Sequence, residues 1–132
     1  MLENKHILAS DDIKLSIITV SFNSVNTIKD TIESIMSQDY SNVEYIVIDG
    51  DSSDGTVDIV KKYSNYVTHF LSEKDNGIYD AMNKGINLAS GDIIGILNSD
   101  DFYPNSFVLS NVVKTFKKYD CDAVYGDLVY VK

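Results

Sequence analysis

The sequence predicts an α/β protein built on a mostly parallel sheet flanked by helices. Three observations predict it. Short apolar, β-branched runs alternate with segments of helical periodicity. Strands that alternate with helices form right-handed βαβ units, and the resulting sheet is parallel. Polar clusters recur where the apolar runs stop, which is the sheet edge at which such proteins bind ligands.

Residues 1–13 are polar and lack periodicity, so they read as an N-terminal lead-in, and 14–132 reads as one domain. Leu15 to Ser21 (LSIITVS) is a strand buried on both faces. Asn26 is positioned to cap a helix whose apolar face is Ile28, Ile32, Ile35 and Met36. Val43 to Asp49 (VEYIVID) is a second strand, followed by a turn-rich loop in which Asp54 caps a helix carrying Val57 and Val60. Val67 to Ser72 is a shorter third strand. A helix from Ile78 to Ala89 presents Ile78, Met82 and Ile86, and Asp92 to Leu97 (DIIGIL) is a fourth strand. Pro104 suits the first turn of a helix whose stripe is Leu109, Val112, Val113 and Phe116. Ala123 to Val131 reads as a last strand, with Cys121 at its start as a buried, inert thiol.

The chain has 132 residues, a hydrophobic fraction of 44% and a net charge of -9. That is enough apolar side chain for a real core. The acidic balance excludes a general nucleic-acid binder, which needs a basic face. One cysteine excludes an intrachain disulfide. No signal peptide or span-length apolar run is visible, so the expected location is the cytoplasm, with peripheral contact at the inner face of a membrane left open.

Three stretches carry candidate chemistry. Asn98-Ser99-Asp100-Asp101 sets adjacent carboxylates at a strand end, where a hard cation such as Mg2+ or Mn2+ would relieve their repulsion; a solvated turn capping the next helix is the plainer alternative. In Asp49-Gly50-Asp51-Ser52-Ser53-Asp54-Gly55-Thr56, a strand-end carboxylate can accept from a base or ribose, or the loop can serve only as a helix-capping connection. In Ser72 to Gly85 a charged loop runs into a helix. Asp80, Asn83 and Lys84 fall on nearby faces, Lys74 or Lys84 could meet a phosphate, and Tyr79 could stack or pack.

Each stretch is a weak signal alone; their order and spacing are specific. Thr19-Val20-Ser21-Phe22-Asn23, Ile48 to Thr56, Glu73 to Gly85, Ala89-Ser90-Gly91-Asp92 and Leu97 to Asp101 together resemble the family 2 glycosyltransferases, from about Lys14 to Lys132. The Gly-Ile-Tyr-Asp-Ala-Met-Asn-Lys-Gly run resembles a bacterial branch that builds surface polysaccharides. The resemblance implies a GT-A (Rossmann-like) fold, here truncated, and a nucleotide-diphosphate-sugar donor. It places Val20 and Phe22 near the base and Asp49 on the base or ribose. It makes Asp100, with Asp101, the ligands of Mn2+ or Mg2+ in the family's Asp-x-Asp motif. The expected donor-binding set is Val20, Phe22, Asn23, Asp49, Asp51, Asp80, Asn83, Lys84 and Ser99, and the metal set is Asp100 and Asp101. Two positions depart from the family: Asn98 stands where its first acid is frequent, and Met82 where an Arg is frequent.

The reaction the resemblance implies is inverting transfer of a sugar to a glycan or lipid-linked acceptor. It needs a general base. Family members carry that base later in the chain, so the expectation is a fragment that binds donor and metal, with no catalytic residue assigned. Asp127, a late carboxylate at a strand position, reads as a structural residue or one supporting the site from behind rather than as the base. A non-catalytic sugar-nucleotide-binding module is the alternative. A receiver domain is disfavoured because Ser21-Phe22-Asn23 replaces its paired acid. Nucleotidyltransferases and dinucleotide oxidoreductases are disfavoured because Ser21 to Thr27 has no Gly. Self-association through an open edge or apolar face is left open.

Overall fold

Every residue of Leu15–Ser21 is buried, as a strand covered on both faces must be. The computed structural model describes residues 13–131, so the expected lead-in lies, apart from Ile13, outside the described residues. Within them the elements alternate: β1 (Leu15–Ser21), α1 (Ile28–Met36), β2 (Val43–Asp49), α2 (Thr56–Lys62), β3 (His69–Ser72), α3 (Ile78–Leu88), β4 (Ile93–Ile96) and α4 (Val108–Lys118). The sheet order is β3-β2-β1-β4, and every pairing is parallel. β1 and β2 pair along their whole lengths, from Leu15 beside Val43 to Ser21 beside Asp49. Their carboxyl ends therefore finish level.

The period-2 alternation of strands divides the core. Leu15 and Ile17 of β1 and Tyr45 and Val47 of β2 face Ile28, Ile32 and Ile35 of α1, Val60 of α2, and Leu109 and Val113 of α4. Ile18, Val20, Ile46 and Ile48 face the other way, toward Ala81 of α3. Of the expected stripe of Ile78, Met82 and Ile86, only Met82 packs against this layer. Ile78 and Ile86 are exposed, and α3 meets the sheet through Ala81 and Gly85. The cause is close approach: a methyl group on Gly85 would lie 2.5 Å from Ile18 Cγ2, so only a bare backbone lets the helix sit there.

Other expectations shift at their edges. Met36 is exposed rather than part of the buried α1 stripe. α1 starts after Thr27 rather than Asn26, with no side-chain cap bond. Gly55, at φ 102, holds the cap position of α2, and Asp54 still serves that end by accepting from Thr56 N at 3.0 Å. Pro104 precedes α4 by several residues; Phe107 takes the cap position there. The last strand over Ala123 to Val131 does not form. Its apolar residues, Tyr125 and Leu128 to Val131, are exposed, because β propensity without a partner ladder orders no strand. Cys121 is half-buried, outside any strand.

Two buried carboxylates tie the strands at their opposite ends. At the amino ends Glu44 is almost fully buried. Burial works to raise its carboxyl, but hydrogen bonds from Ser16 Oγ, Ser90 N and Ser90 Oγ, with the Lys14 charge, outweigh it and lower the pKa from 4.5 to about 2. At the carboxyl ends Asp49 is fully buried. Its Oδ1 accepts from Ser21 Oγ at 2.9 Å and Ser52 Oγ at 2.6 Å. Its Oδ2 accepts from Ser52 N at 2.9 Å and Ser72 Oγ at 2.8 Å. One side chain thus gathers the ends of β1 and β3 and the loop after β2.

Two predictions follow from these ties. Asp49→Asn sets an amide donor against hydroxyl and N–H donors. It should cost about 1–3 kcal/mol in urea unfolding, the usual penalty for a buried mismatch. For Glu44 the folded pKa lies below the unfolded one. Its contribution is therefore complete above about pH 4.5 and disappears as pH falls through about 2. Unfolding midpoints measured between those limits should fall for the wild type and flatten for Glu44→Gln; parallel curves would refute the assignment.

Candidate donor site at the carboxyl ends of the strands

The level strand ends open onto a cleft of about 950 Å³. Each of the four loops that follow the strands contributes to its wall. Val20, Ser21, Phe22, Asn23 and Ser24 come from the end of β1, and Gly50 and Asp51 from the end of β2. Lys74, Asp75 and Gly77 come from the β3–α3 connection, with Ile78 at the start of α3, and Asn98, Ser99 and Asp100 from the loop after β4. Thr27 and Ala81 complete it.

The Asp-rich loop after β2 works as a clamp on the loop after β1. Asn23 N donates to Ser52 Oγ at 2.8 Å, and Ser53 N donates to Asn23 Oδ1 at 3.0 Å. Ser24 N donates to Thr56 Oγ1 at 2.8 Å, and Val25 N to Asp54 Oδ2 at 3.0 Å. The Thr56 hydroxyl, ahead of these backbone donors, holds the Asp54 carboxyl below its ordinary pKa. Asn23 (φ 48) and Asp51 (φ 66) occupy the left-handed region that side chains rarely enter. The clamp holds Asn23 in place; Phe22, just before it, is 65% exposed beside the cleft.

The loop after β4 is a tight turn. Asp101 N donates to Asn98 O at 3.0 Å. Thr31 Oγ1 of α1 donates to Asp101 O at 2.6 Å, and Ser99 Oγ pairs with Ser24 Oγ at 2.7 Å. Asp100 is exposed on the cleft, whereas Asp101 is not part of its wall. Asn98 Oδ1 is buried and meets no hydrogen-bond donor among the described residues.

The structure therefore divides the expected residues. Val20, Phe22, Asn23, Asp51, Ser99 and Asp100 come together on the cleft. Asp49 lies outside its wall with both oxygens engaged. Asp80, Asn83 and Lys84 are also outside it. Lys84 Nζ pairs with Glu73 at 2.9 Å and Asp80 at 3.5 Å. The Glu73 bond is the main reason the Lys84 pKa is raised. Asn76 N bonds Asp80 and is the main reason that carboxyl is lowered. Lys84, Glu73 and Asp80 thus brace the β3–α3 connection, whereas Asn83 is exposed. Sequence reasoning left out Ser24, Asp75 and Gly77. Asp75 had a local signal: a carboxylate two residues before a glycine at a helix start forms an Asx turn, here Gly77 N to Asp75 Oδ1 at 2.9 Å.

No group of three His, Cys, Asp or Glu residues close enough to hold a metal occurs among the described residues. Among the described residues such side chains alone therefore build no cage. The donor set fits a hard cation of another kind: one exposed carboxylate, Asp100, near an unpaired amide oxygen, Asn98 Oδ1, with further oxygens left to ligand and water. No helix among the described residues is long and apolar enough to cross a membrane.

Comparison with known proteins agrees with this architecture. A glycosyltransferase of Mycobacterium tuberculosis is 39% identical over 101 residues, covering 76% of this chain and 38% of that protein. The PGL/p-HBAD biosynthesis glycosyltransferase of Mycobacterium bovis is 31% identical over 118 residues, covering 86% of this chain and 46% of its own. The chain thus spans less than half the length of these relatives. Among solved structures, S. aureus TarS in complex with UDP-GlcNAc superposes with a TM-score of 0.75 at 26% identity, covering 82% of this chain and 32% of that one. The mannosyltransferase PcManGT from Pyrobaculum calidifontis, in complex with GDP-Man and Mn2+, gives 0.71 at 28%, covering 77% and 32%. The shared architecture is the GT-A fold. Residues 16–132 match Glycosyl transferase family 2, and the chain belongs to that family.

Proposed function

We propose that residues 14–132 bind the nucleotide-diphosphate-sugar donor of an inverting glycosyltransferase whose acceptor is a glycan or a lipid-linked glycan. The observation that supports this most directly is the cleft at the carboxyl edge, walled by the loops after all four strands. The known structures of TarS with UDP-GlcNAc and of PcManGT with GDP-Man support the donor class.

Charge decides how an anion enters this cleft. Its wall carries the carboxylates Asp51, Asp75 and Asp100 against the one lysine Lys74. A diphosphate would be repelled; one like-charge pair at ~4 Å and an effective dielectric near 20 costs roughly 4 kcal/mol. A divalent cation held by Asp100, with Asn98 Oδ1 close by, changes that sign. When bound, such a cation also supplies Lewis-acid stabilisation to the departing nucleoside diphosphate. The Mn2+ in the PcManGT complex supports the assignment.

The chain's own residues then orient the donor. Phe22 offers an exposed ring face and Val20 an apolar floor for the nucleoside. The Ser24–Ser99 hydroxyl pair links the β1 loop to the β4 turn and keeps Asp100 at a set distance from Phe22. Asp49 acts by holding Ser21, Ser52 and Ser72 rather than by touching the donor. The general base that takes the acceptor proton belongs with the acceptor-binding part of the enzyme. Asp127 lies outside both the strands and the cleft wall, which supports a structural or supporting role for it rather than that of the base.

Thermal shift with UDP and GDP, with and without Mn2+, tests this reading. Stabilisation should require both nucleotide and metal. Asp100→Ala should remove it while leaving the metal-free melting temperature within about 2 °C, as expected for an exposed substitution. Equal stabilisation of wild type and Asp100→Ala would take Asp100 out of the site. Phe22→Ala should weaken nucleotide affinity by roughly 5- to 100-fold, the worth of one base stacked on an aromatic ring. Titration calorimetry reads this directly, and an unchanged constant would place the base elsewhere.

A further inference from the structure

We propose that a polar ridge on α1, made of Thr31, Ser34 and Gln38, positions the turn that carries Asp100, with Thr31 as the residue that acts on it most directly. This goes beyond the donor reading and rests on it for the role of Asp100.

The first observation is where the Thr31 proton goes. Thr31 is 1% exposed, on the same helix as the apolar stripe of Ile28, Ile32 and Ile35. A hydroxyl in a helix commonly donates to a carbonyl one turn back. Ser34, Ser110 and Thr115 do so, to Thr31 O, Phe107 O and Asn111 O. Thr31 Oγ1 instead leaves its own helix and donates to Asp101 O at 2.6 Å. Packing alone would be met by a valine of the same shape; the hydroxyl serves the carbonyl.

The second is the ladder that continues from this bond. Ser34 Oγ accepts from Tyr103 N at 3.1 Å. Gln38 Nε2 donates to Asn105 O at 2.6 Å, and its Oε1 accepts from Leu109 N at 3.1 Å. Asp39 N donates to Ser106 O at 2.7 Å. Thr31, Ser34 and Gln38 are spaced three and four apart, so they share one face of the helix and the turn after it. Every partner is a backbone group of residues 101–109, so the ridge fixes the path of this segment whatever its side chains are. It also serves α4. Phe107, at the cap position, makes no side-chain bond to the helix, and Gln38 supplies one to Leu109 N.

The third is what lies between the anchors. Asp101 is held at both backbone groups, its N donating to Asn98 O at 3.0 Å and its O accepting from Thr31. Ser99 is held by Ser24, hydroxyl to hydroxyl, at 2.7 Å. Asp100 sits between these two residues and is exposed on the cleft. Its neighbours are fixed on either side while its own side chain stays open to a ligand. A cation ligand has to be placed within a few tenths of an ångström, and the groups behind the ligands hold them there. Loss of such a group costs about 10- to 100-fold in metal affinity. A hydroxyl that supported only the fold would cost stability and leave the affinity of the folded protein alone.

Mn2+ binding in the presence of UDP or GDP tests the proposal, read from the electron paramagnetic resonance signal of free Mn2+ well below the melting temperature. Thr31→Val keeps the shape and removes the donor. It should weaken Mn2+ binding by about tenfold or more, and Thr31→Ser, which keeps the hydroxyl, should restore it. Gln38→Met, which cuts the far end of the ridge, should weaken it too. In an Asp100→Ala background Thr31→Val should change nothing further, because it acts through Asp100. Amide hydrogen exchange without metal gives a second reading. Thr31→Val should speed exchange over residues 98–103 while β1 and β2 keep their protection. Circular dichroism confirms that each variant is folded. Wild-type Mn2+ affinity in folded Thr31→Val or Gln38→Met overturns the proposal and leaves the donor reading standing, even where the melting temperature falls. Equal weakening by Thr31→Val and Thr31→Ser overturns it as well, because packing rather than the hydroxyl would then be responsible. Failure of the wild type to bind Mn2+ with either nucleotide overturns both.

Discussion

The cleft depends on the buried carboxylate of Asp49. Four donors converge on it, from Ser21, Ser52 and Ser72, and they belong to the ends of β1 and β3 and to the loop after β2. A fully buried charge is tolerated only when its lone pairs are filled, and here they are. The same hydrogen bonds start the loop that clamps Asn23, Ser24 and Val25. Those residues in turn set Phe22 and, through the Ser24–Ser99 pair, the turn that carries Asp100. The path from a structural acid to the cleft-lining groups is thus short and made largely of hydrogen bonds.

The acids of the chain have divided labour. Glu44 and Asp49 are buried and satisfied, one at each end of the strands. Asp54 and Asp80 hold backbone N–H groups of loops and helix starts. Asp51, Asp75 and Asp100 remain on the cleft wall. The net charge of -9 therefore does not describe the site. The site is described by the few carboxylates on its wall, of which Asp75 accepts a hydrogen bond from Gly77 N, and like charges set so close favour a cation between them.

The sheet's outer strand β4 is less complete than its centre. Ile94 and Ile96 lie on the same face as Ile18 but are 43% and 45% exposed, because α3 covers β1 and β2 and stops short of them. Tyr125 and Leu128 to Val131 are exposed as well. The chain covers about a third of the solved TarS 1-349 and PcManGT chains.

The alternation of elements, the parallel sheet and the collection of polar residues at one edge were legible in the amino-acid order. Each depends on local periodicity, and a strand buried on both faces such as Leu15–Ser21 leaves an unmistakable apolar run. Phe22, Asp51, Ser99 and Asp100 were legible for the same reason: a residue just past a strand reaches the rim whatever the packing. Other features were decided only in three dimensions. Asp49 and Asp51 are two residues apart in one acidic run, yet one is buried and saturated while the other faces the cleft. Lys84 is consumed by Glu73 and Asp80, and Asp75 gains its place because Gly50, on a different loop, leaves it room. Even the buried face of α3 turned on one long-range contact, Gly85 against Ile18. Periodicity reports which way a residue points along its own element. Which oxygen is left without a donor depends on how separate loops meet, and that is a property of the folded chain alone.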